Sequence, residues 1–140
     1  MFLGGGKSDY LLGDFLADVH QGAHWQGILF RRTYPELDEL IRRSHVIYRG
    51  AEYKVGKHEW RFPSGATPKF RHIDSAHDAA HYHGHTYQWI GWDELTNWPN
   101  LQSYDLLKTT LRSAHNVKGM RVTATGNPGG PGLRRSSSGM

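Results

Sequence analysis

Three observations predict an α/β fold with a mainly parallel sheet and a small antiparallel meander. Short apolar runs alternate with stretches of helical periodicity, the pattern of strands joined by helical crossovers. From Ala51 to Ile73 apolar and polar residues alternate instead, between glycine- and proline-containing hairpin signals. One apolar run, Tyr87-Gln88-Trp89-Ile90-Gly91-Trp92, ends in two adjacent carboxylates, Asp93-Glu94, as a buried strand does when it delivers polar groups at its carboxyl edge.

The length of 140 residues allows one domain with one sizeable core. Its apolar content excludes a disordered chain, and no apolar run approaches the roughly 20 residues a bilayer-spanning helix requires. Met1-Phe2-Leu3 passes straight into glycines, so no secretory signal is expected. The chain has no cysteine, which excludes disulfides and zinc-thiolate sites and fits a reducing cytosol. A net charge of +4, with ten histidines neutral, favours an anionic partner only mildly.

Taken in order, Met1-Phe2-Leu3 is too short for a strand, so any first strand is missing or vestigial. Leu11, Leu12, Phe15, Leu16 and Val19 predict an amphipathic helix from about Ser8 to about Val19, stopped by Gln21-Gly22-Ala23-His24. Gly27 to Arg32 reads as a strand. Thr33 or Tyr34 before Pro35 starts a helix that buries Leu37, Leu40 and Ile41 and ends near Arg43. The meander follows, at the sheet edge, and Ser75 to His83 reads as a polar connector. After the Asp93-Glu94 strand, Leu101, Tyr104, Leu107 and Leu111 mark another helix. Met120 to Ala124 is the last strand, running into Thr125-Gly126-Asn127. Residues 1–132 form the expected domain, and 133–140 an unstructured tail.

The chemistry starts at Gly4-Gly5-Gly6-Lys7-Ser8, which has the Gly-Lys-Ser ending of a phosphate-binding loop. Glycines let backbone amides approach phosphate oxygens, the lysine reaches the β/γ-phosphates, and the serine hydroxyl ligates magnesium. Met1 stands where the full pattern has its first glycine, and a plain glycine-rich terminus would read the same way. Asp93 and Glu94 suit a magnesium ligand and a residue that polarises the attacking water. Taken with the loop, they predict a nucleotide site. Thr125, Gly126 and Asn127 could sense a γ-phosphate or simply form a turn. Arg31 and Arg32 could stabilise phosphoryl-transfer charge, touch DNA, or be solvated. His81, His83 and His85 would share one side of an extended segment, without a carboxylate or cysteine to complete a ligand set.

These pieces, in this order, resemble the N-terminal ATPase domain of the large terminase subunit of tailed bacteriophages. The likeness runs from Gly4 to about Gly132. It rests on the phosphate loop and on Phe30-Arg31-Arg32-Thr33-Tyr34-Pro35-Glu36-Leu37, Phe62-Pro63-Ser64-Gly65-Ala66, the stretch from Gly84 to Thr96, and Thr125-Gly126-Asn127-Pro128-Gly129-Gly130. It implies a three-layer P-loop (RecA-like) ATPase core and a motor that uses ATP and Mg2+ to drive viral double-stranded DNA into a procapsid. Gly4, Gly5, Gly6, Lys7 and Ser8 then form the Walker A loop, with Lys7 also catalytic. Asp93 and Glu94 form the Walker B pair, with Ser8 and Asp93 on the metal and Glu94 catalytic. Thr125, Gly126 and Asn127 match the coupling motif.

The implied partners are the portal protein, the small terminase subunit and further copies of the subunit in a ring. The implied place is the host cytoplasm, at the procapsid and not a membrane. Many family members have an arginine four residues before the loop lysine, where this chain has Leu3, and no nuclease domain follows. The expectation is a truncated ATPase core. The alternative is an inactive prophage remnant that at most binds nucleotide. A helicase-like ATPase would share the loop and the carboxylates, but it would not explain the Arg-Arg-Thr-Tyr-Pro or Asn-Pro-Gly-Gly stretches.

Overall fold

The computed structural model describes residues 4–113 and 116–126. The expected stub at Met1-Phe2-Leu3, Asn127 and the expected tail lie outside the described residues. Helix α1 (Gly4–Leu16) leads to strand β1 (Gln26–Arg31) and helix α2 (Tyr34–Ile47). Strands β2 (Glu52–Lys54), β3 (Glu59–Arg61) and β4 (Thr67–His72) follow, then the short helix α3 (Ala76–Ala79). Strand β5 (Trp89–Trp92), helix α4 (Gln102–Lys108) and strand β6 (Arg121–Ala124) complete the order.

The six strands form one sheet in the order β2-β3-β4-β1-β5-β6. Strand β1 is parallel to both β4 and β5, and β5 is parallel to β6. The β2-β3 and β3-β4 pairs are antiparallel, so the meander forms the sheet edge and β4 also belongs to the parallel part. Five successive residues of β1, Gly27 to Arg31, are buried, as in a parallel strand covered on both faces.

Successive side chains of a strand point to opposite faces, and this parity sorts the core into two layers. Trp25 and Leu29 join Leu11, Leu12 and Phe15 of α1 and Leu37 and Leu40 of α2 on one face. Ile28, Phe30, Ile90 and Trp92 join Ala79 of α3 and Tyr104 and Leu107 of α4 on the other. Helices therefore cover both faces of the sheet. Trp89 lies on the α1 face, folded over Gly91, whose place any larger residue would take from the indole. A Cβ on Gly27 would stand 2.6 Å from the Phe15 ring, so both glycines make room for aromatic packing.

Several element boundaries differ from the expectation, each for a local reason. The first helix runs from Gly4 to Leu16 rather than from Ser8 to Val19, so the three glycines form its first turn and not a loop. It stops because the Phe15 carbonyl accepts from Asp18 N–H at 3.2 Å and from the Trp25 indole at 3.0 Å. The second helix continues past Arg43 to Ile47 because Ser44 and Tyr48 are also buried, and the Trp60 indole donates to Ser44 Oγ at 2.8 Å. Thr33 caps this helix, accepting from Glu36 N–H.

Helix α4 ends before Leu111, because the Thr109 and Thr110 hydroxyls donate to carbonyls three residues back, both at 2.6 Å. The connector after β4 contains α3, capped by Ser75. His81 lies in a one-turn helix and Gly84 has φ 92°, so the histidines at 81, 83 and 85 do not sit on an extended segment. Among the described residues no group of three or more His, Asp or Glu is placed to hold a metal. No described helix is long and apolar enough to cross a membrane.

Candidate functional site

The site follows from strand register. Phe30 pairs with Trp92, and Trp92 with Ala124, across β1, β5 and β6. The next residue on each strand is therefore Arg31, Asp93 and Thr125, side by side at the carboxyl edge of three parallel strands. In an open α/β sheet this edge is where ligands bind. Asp93 N–H donates to the Phe30 carbonyl at 3.0 Å, and Thr125 N–H to the Trp92 carbonyl at 2.9 Å, which continues the ladder into the site. By parity, all three side chains fall on the face covered by α1 and α2.

Asp93 is 1% exposed and accepts hydrogen bonds through both carboxylate oxygens. Its Oδ2 accepts from Ser8 Oγ at 2.9 Å and from Arg31 Nη1 at 2.7 Å, and its Oδ1 accepts from Thr125 Oγ1 at 2.9 Å. A carboxylate can be this deeply buried only when its charge is paired and hydrogen-bonded. Arg31 is 5% exposed, and its Nη2 also lies 3.5 Å from Glu94 Oε2 and 4.0 Å from Glu36 Oε2. Its Nε is buried without a partner.

Glu94 has a left-handed backbone, φ 56° and ψ 54°, uncommon for a residue with a Cβ. Its N–H donates to Thr125 Oγ1 at 3.0 Å, and the Leu95 N–H donates to the Thr125 carbonyl at 2.6 Å. Thr125 therefore holds the Asp93–Leu95 turn with its hydroxyl and its carbonyl, while its amide bonds the preceding Trp92 carbonyl. The turn directs the Glu94 carboxylate towards Arg31 and towards solvent.

The sequence-predicted residues meet here from both ends of the chain. Ser8 touches Asp93 across 85 positions, and Lys7 Nζ lies 3.4 Å from the Gly126 carbonyl. Gly4, Gly5 and Gly6 lead into these two residues as the first helical turn. The N–H groups at the start of a helix, here those of Gly4 to Gly6, have no intrahelical acceptor. The two arginines part company. Arg31 turns inward, whereas Arg32 bonds Asp74 at 2.7 Å and the Asn97 carbonyl at 2.7 Å.

A cavity of about 390 Å³ opens beside Ser8, Arg31 and Glu94, with Glu39, Arg42 and Arg43 of α2 on its other wall. Its size suits a small ligand. Arg43 clips α2 to α1 through a two-pronged pair with Asp9, at 2.6 and 2.7 Å. Glu36, Glu39 and Arg43 recur at three- and four-residue spacing. That spacing marks them as one helix face, but nothing in the sequence says that this face meets the carboxylates.

Asp14 is a second anchor, partly buried, that the sequence does not signal. Its Oδ2 accepts from the Trp89 indole at 2.9 Å, Arg121 Nε at 3.0 Å and Thr123 Oγ1 at 2.7 Å, which ties α1 to β5 and β6. Burial pushes this carboxyl up, but the hydrogen bonds from Arg121, Trp89 and Thr123 outweigh it and hold the group below its ordinary range.

A serine hydroxyl beside a buried carboxylate is an all-oxygen donor pair of the kind hard divalent cations take, usually with substrate phosphates completing the shell. A family model described as terminase large subunit, T4-like virus type, N-terminal, matches residues 3–129. No curated protein and no solved structure matches the chain.

Proposed function

Since the chain belongs to the N-terminal family of T4-like terminase large subunits, which serves phage DNA packaging, we propose that it is that subunit's ATPase motor domain. In this reading it couples ATP hydrolysis to movement of viral double-stranded DNA into the procapsid. The observation that supports the reading is the 2.9 Å contact of Ser8 Oγ with Asp93 Oδ2, which brings together two segments 85 positions apart that are both read as parts of a nucleotide site.

Lys7 and the amides from Gly4 onward bind phosphate oxygens. Ser8 and Asp93 hold Mg2+, which when bound neutralises charge on the phosphates. Glu94 orients the attacking water, its backbone fixed by Thr125. Thr125, Gly126 and Asn127 relay loss of the γ-phosphate. This role is supported by the three backbone and side-chain bonds between Thr125 and the Asp93–Leu95 turn. The family further suggests a ring of subunits, with the portal protein and the small terminase subunit as partners, working in the host cytoplasm at the procapsid. The three-layer P-loop core is part of the same proposal.

The test is equilibrium binding of a fluorescent ATP analogue with magnesium, together with ATP turnover. Binding should be magnesium-dependent and lost in Lys7→Ala, and turnover should be lost in Glu94→Gln with binding retained. Turnover unchanged in Glu94→Gln would remove the catalytic assignment. Absence of any binding would favour the inactive remnant.

A further inference from the structure

A carboxylate offers about four lone-pair sites, two on each oxygen. At Asp93, Oδ2 uses both of its own, on Ser8 Oγ at 2.9 Å and Arg31 Nη1 at 2.7 Å, while Oδ1 uses one, on Thr125 Oγ1. A cation that takes Oδ2 must therefore displace a donor. Ser8 has no need to leave, because its hydroxyl keeps a lone pair for the same cation. Arg31 carries only donors and a fixed positive charge, so it and the cation repel each other as well as compete.

We infer that Arg31 is a positioning residue that competes with the divalent cation for Asp93 and links cation binding to the placement of Glu94. The inference rests on Asp93 being a cation ligand. Two observations separate this role from simple core stabilisation. First, the Arg31 side chain is 6% exposed yet leaves Nε without a partner, whereas a purely structural buried arginine gains most when every donor is used. Second, its other charged neighbours are two partly exposed carboxylates. Nη2 is 3.5 Å from Glu94 and 4.0 Å from Glu36, whose side chains are 30% and 35% exposed. A guanidinium released from Asp93 keeps both of these more exposed carboxylates as partners. Because the same Nη2 faces Glu94, that release draws on the carboxylate assigned to the water.

The probe is Mn2+ alone, with free ion counted by electron paramagnetic resonance, on the full chain and its Arg31→Met, Arg31→Lys and Asp93→Asn variants. Removing a unit charge a few ångströms from the cation should tighten Mn2+ binding by at least about tenfold in Arg31→Met. Arg31→Lys should stay nearer the parent, and Asp93→Asn should bind none. Unchanged or weaker binding in a folded Arg31→Met overturns the inference while leaving Asp93 as a ligand. If neither the parent nor Arg31→Met binds Mn2+, the cation reading itself fails.

Should Arg31→Met not fold, a Mg2+ titration of the unaltered chain decides. The Arg31 Nε–H resonance, identified by its loss in Arg31→Lys, should shift with cation occupancy. A resonance that stays still while Mg2+ saturates Asp93 overturns the inference.

Discussion

The Thr125 hydroxyl donates to Asp93 Oδ1 at 2.9 Å while accepting from the N–H of Glu94 at 3.0 Å, so one side chain on β6 fixes both acidic residues that follow β5. Replacing Thr125 by valine keeps the shape and removes the hydroxyl. It strips one donor from a carboxylate that is 1% exposed and leaves the Glu94 amide unpaired. The expected loss is about 1–3 kcal/mol of unfolding free energy, read from denaturant midpoints. Thr125→Ser should recover most of it. Equal stability of the valine variant and the parent would mean that this hydroxyl does not hold the turn.

Glu94 bears backbone strain, since a residue with a Cβ at φ 56° is disfavoured by about 1–3 kcal/mol. Glu94→Gly removes that strain along with a weak ion pair to Arg31, so stability should hold or rise by about 1 kcal/mol. ATP turnover, by contrast, should vanish. A variant that melts well below the parent would show that the Glu94 side chain matters more to the fold than its backbone strain costs.

Gly91 lies under the Trp89 indole, and a Cβ there overlaps the ring. The ring cannot retreat freely, because its Nε1 is held by Asp14 and Phe15 packs edge-on at 5.4 Å. Gly91→Ala should cost about 1–3 kcal/mol by overpacking, or more if the strand shifts. Tryptophan fluorescence would follow the same transition. No change in the denaturant midpoint would rule out this close approach.

Asp14 is held below the ordinary carboxylate range, with burial opposed and outweighed by hydrogen bonds from Arg121, Trp89 and Thr123. A group depressed in the folded state contributes stability that is complete above its unfolded value, about 3.9, and fades as pH falls through its folded value. Asp14→Asn should therefore lower stability at neutral pH and flatten the acid limb below about pH 4. A stability difference between parent and variant that stays constant from pH 6 to pH 2 would contradict this.

Much of this was readable from residue order. Apolar runs and helical spacing marked the strands and helices, and Asp93-Glu94 stood out because carboxylates rarely close so apolar a run. The signatures around Arg31, Gly84 and Thr125 pointed to the terminase family, which the match over residues 3–129 bears out. Helix ends were less legible, because they depend on distant partners such as the Trp25 indole at Phe15 and Trp60 at Ser44.

Tertiary structure decided who stands beside whom. Phe30, Trp92 and Ala124 share one level of the sheet, and only that register places Arg31, Asp93 and Thr125 in a row. Adjacent arginines look equivalent in sequence, yet strand parity sends Arg31 into the carboxylates while Arg32 bonds Asp74 and the Asn97 carbonyl. The physical reason is range. Side-chain periodicity is local, so residue order alone reveals which elements form and which family they belong to. Register and parity are set by strands that meet far apart along the chain, so only the folded sheet could decide which charges face each other.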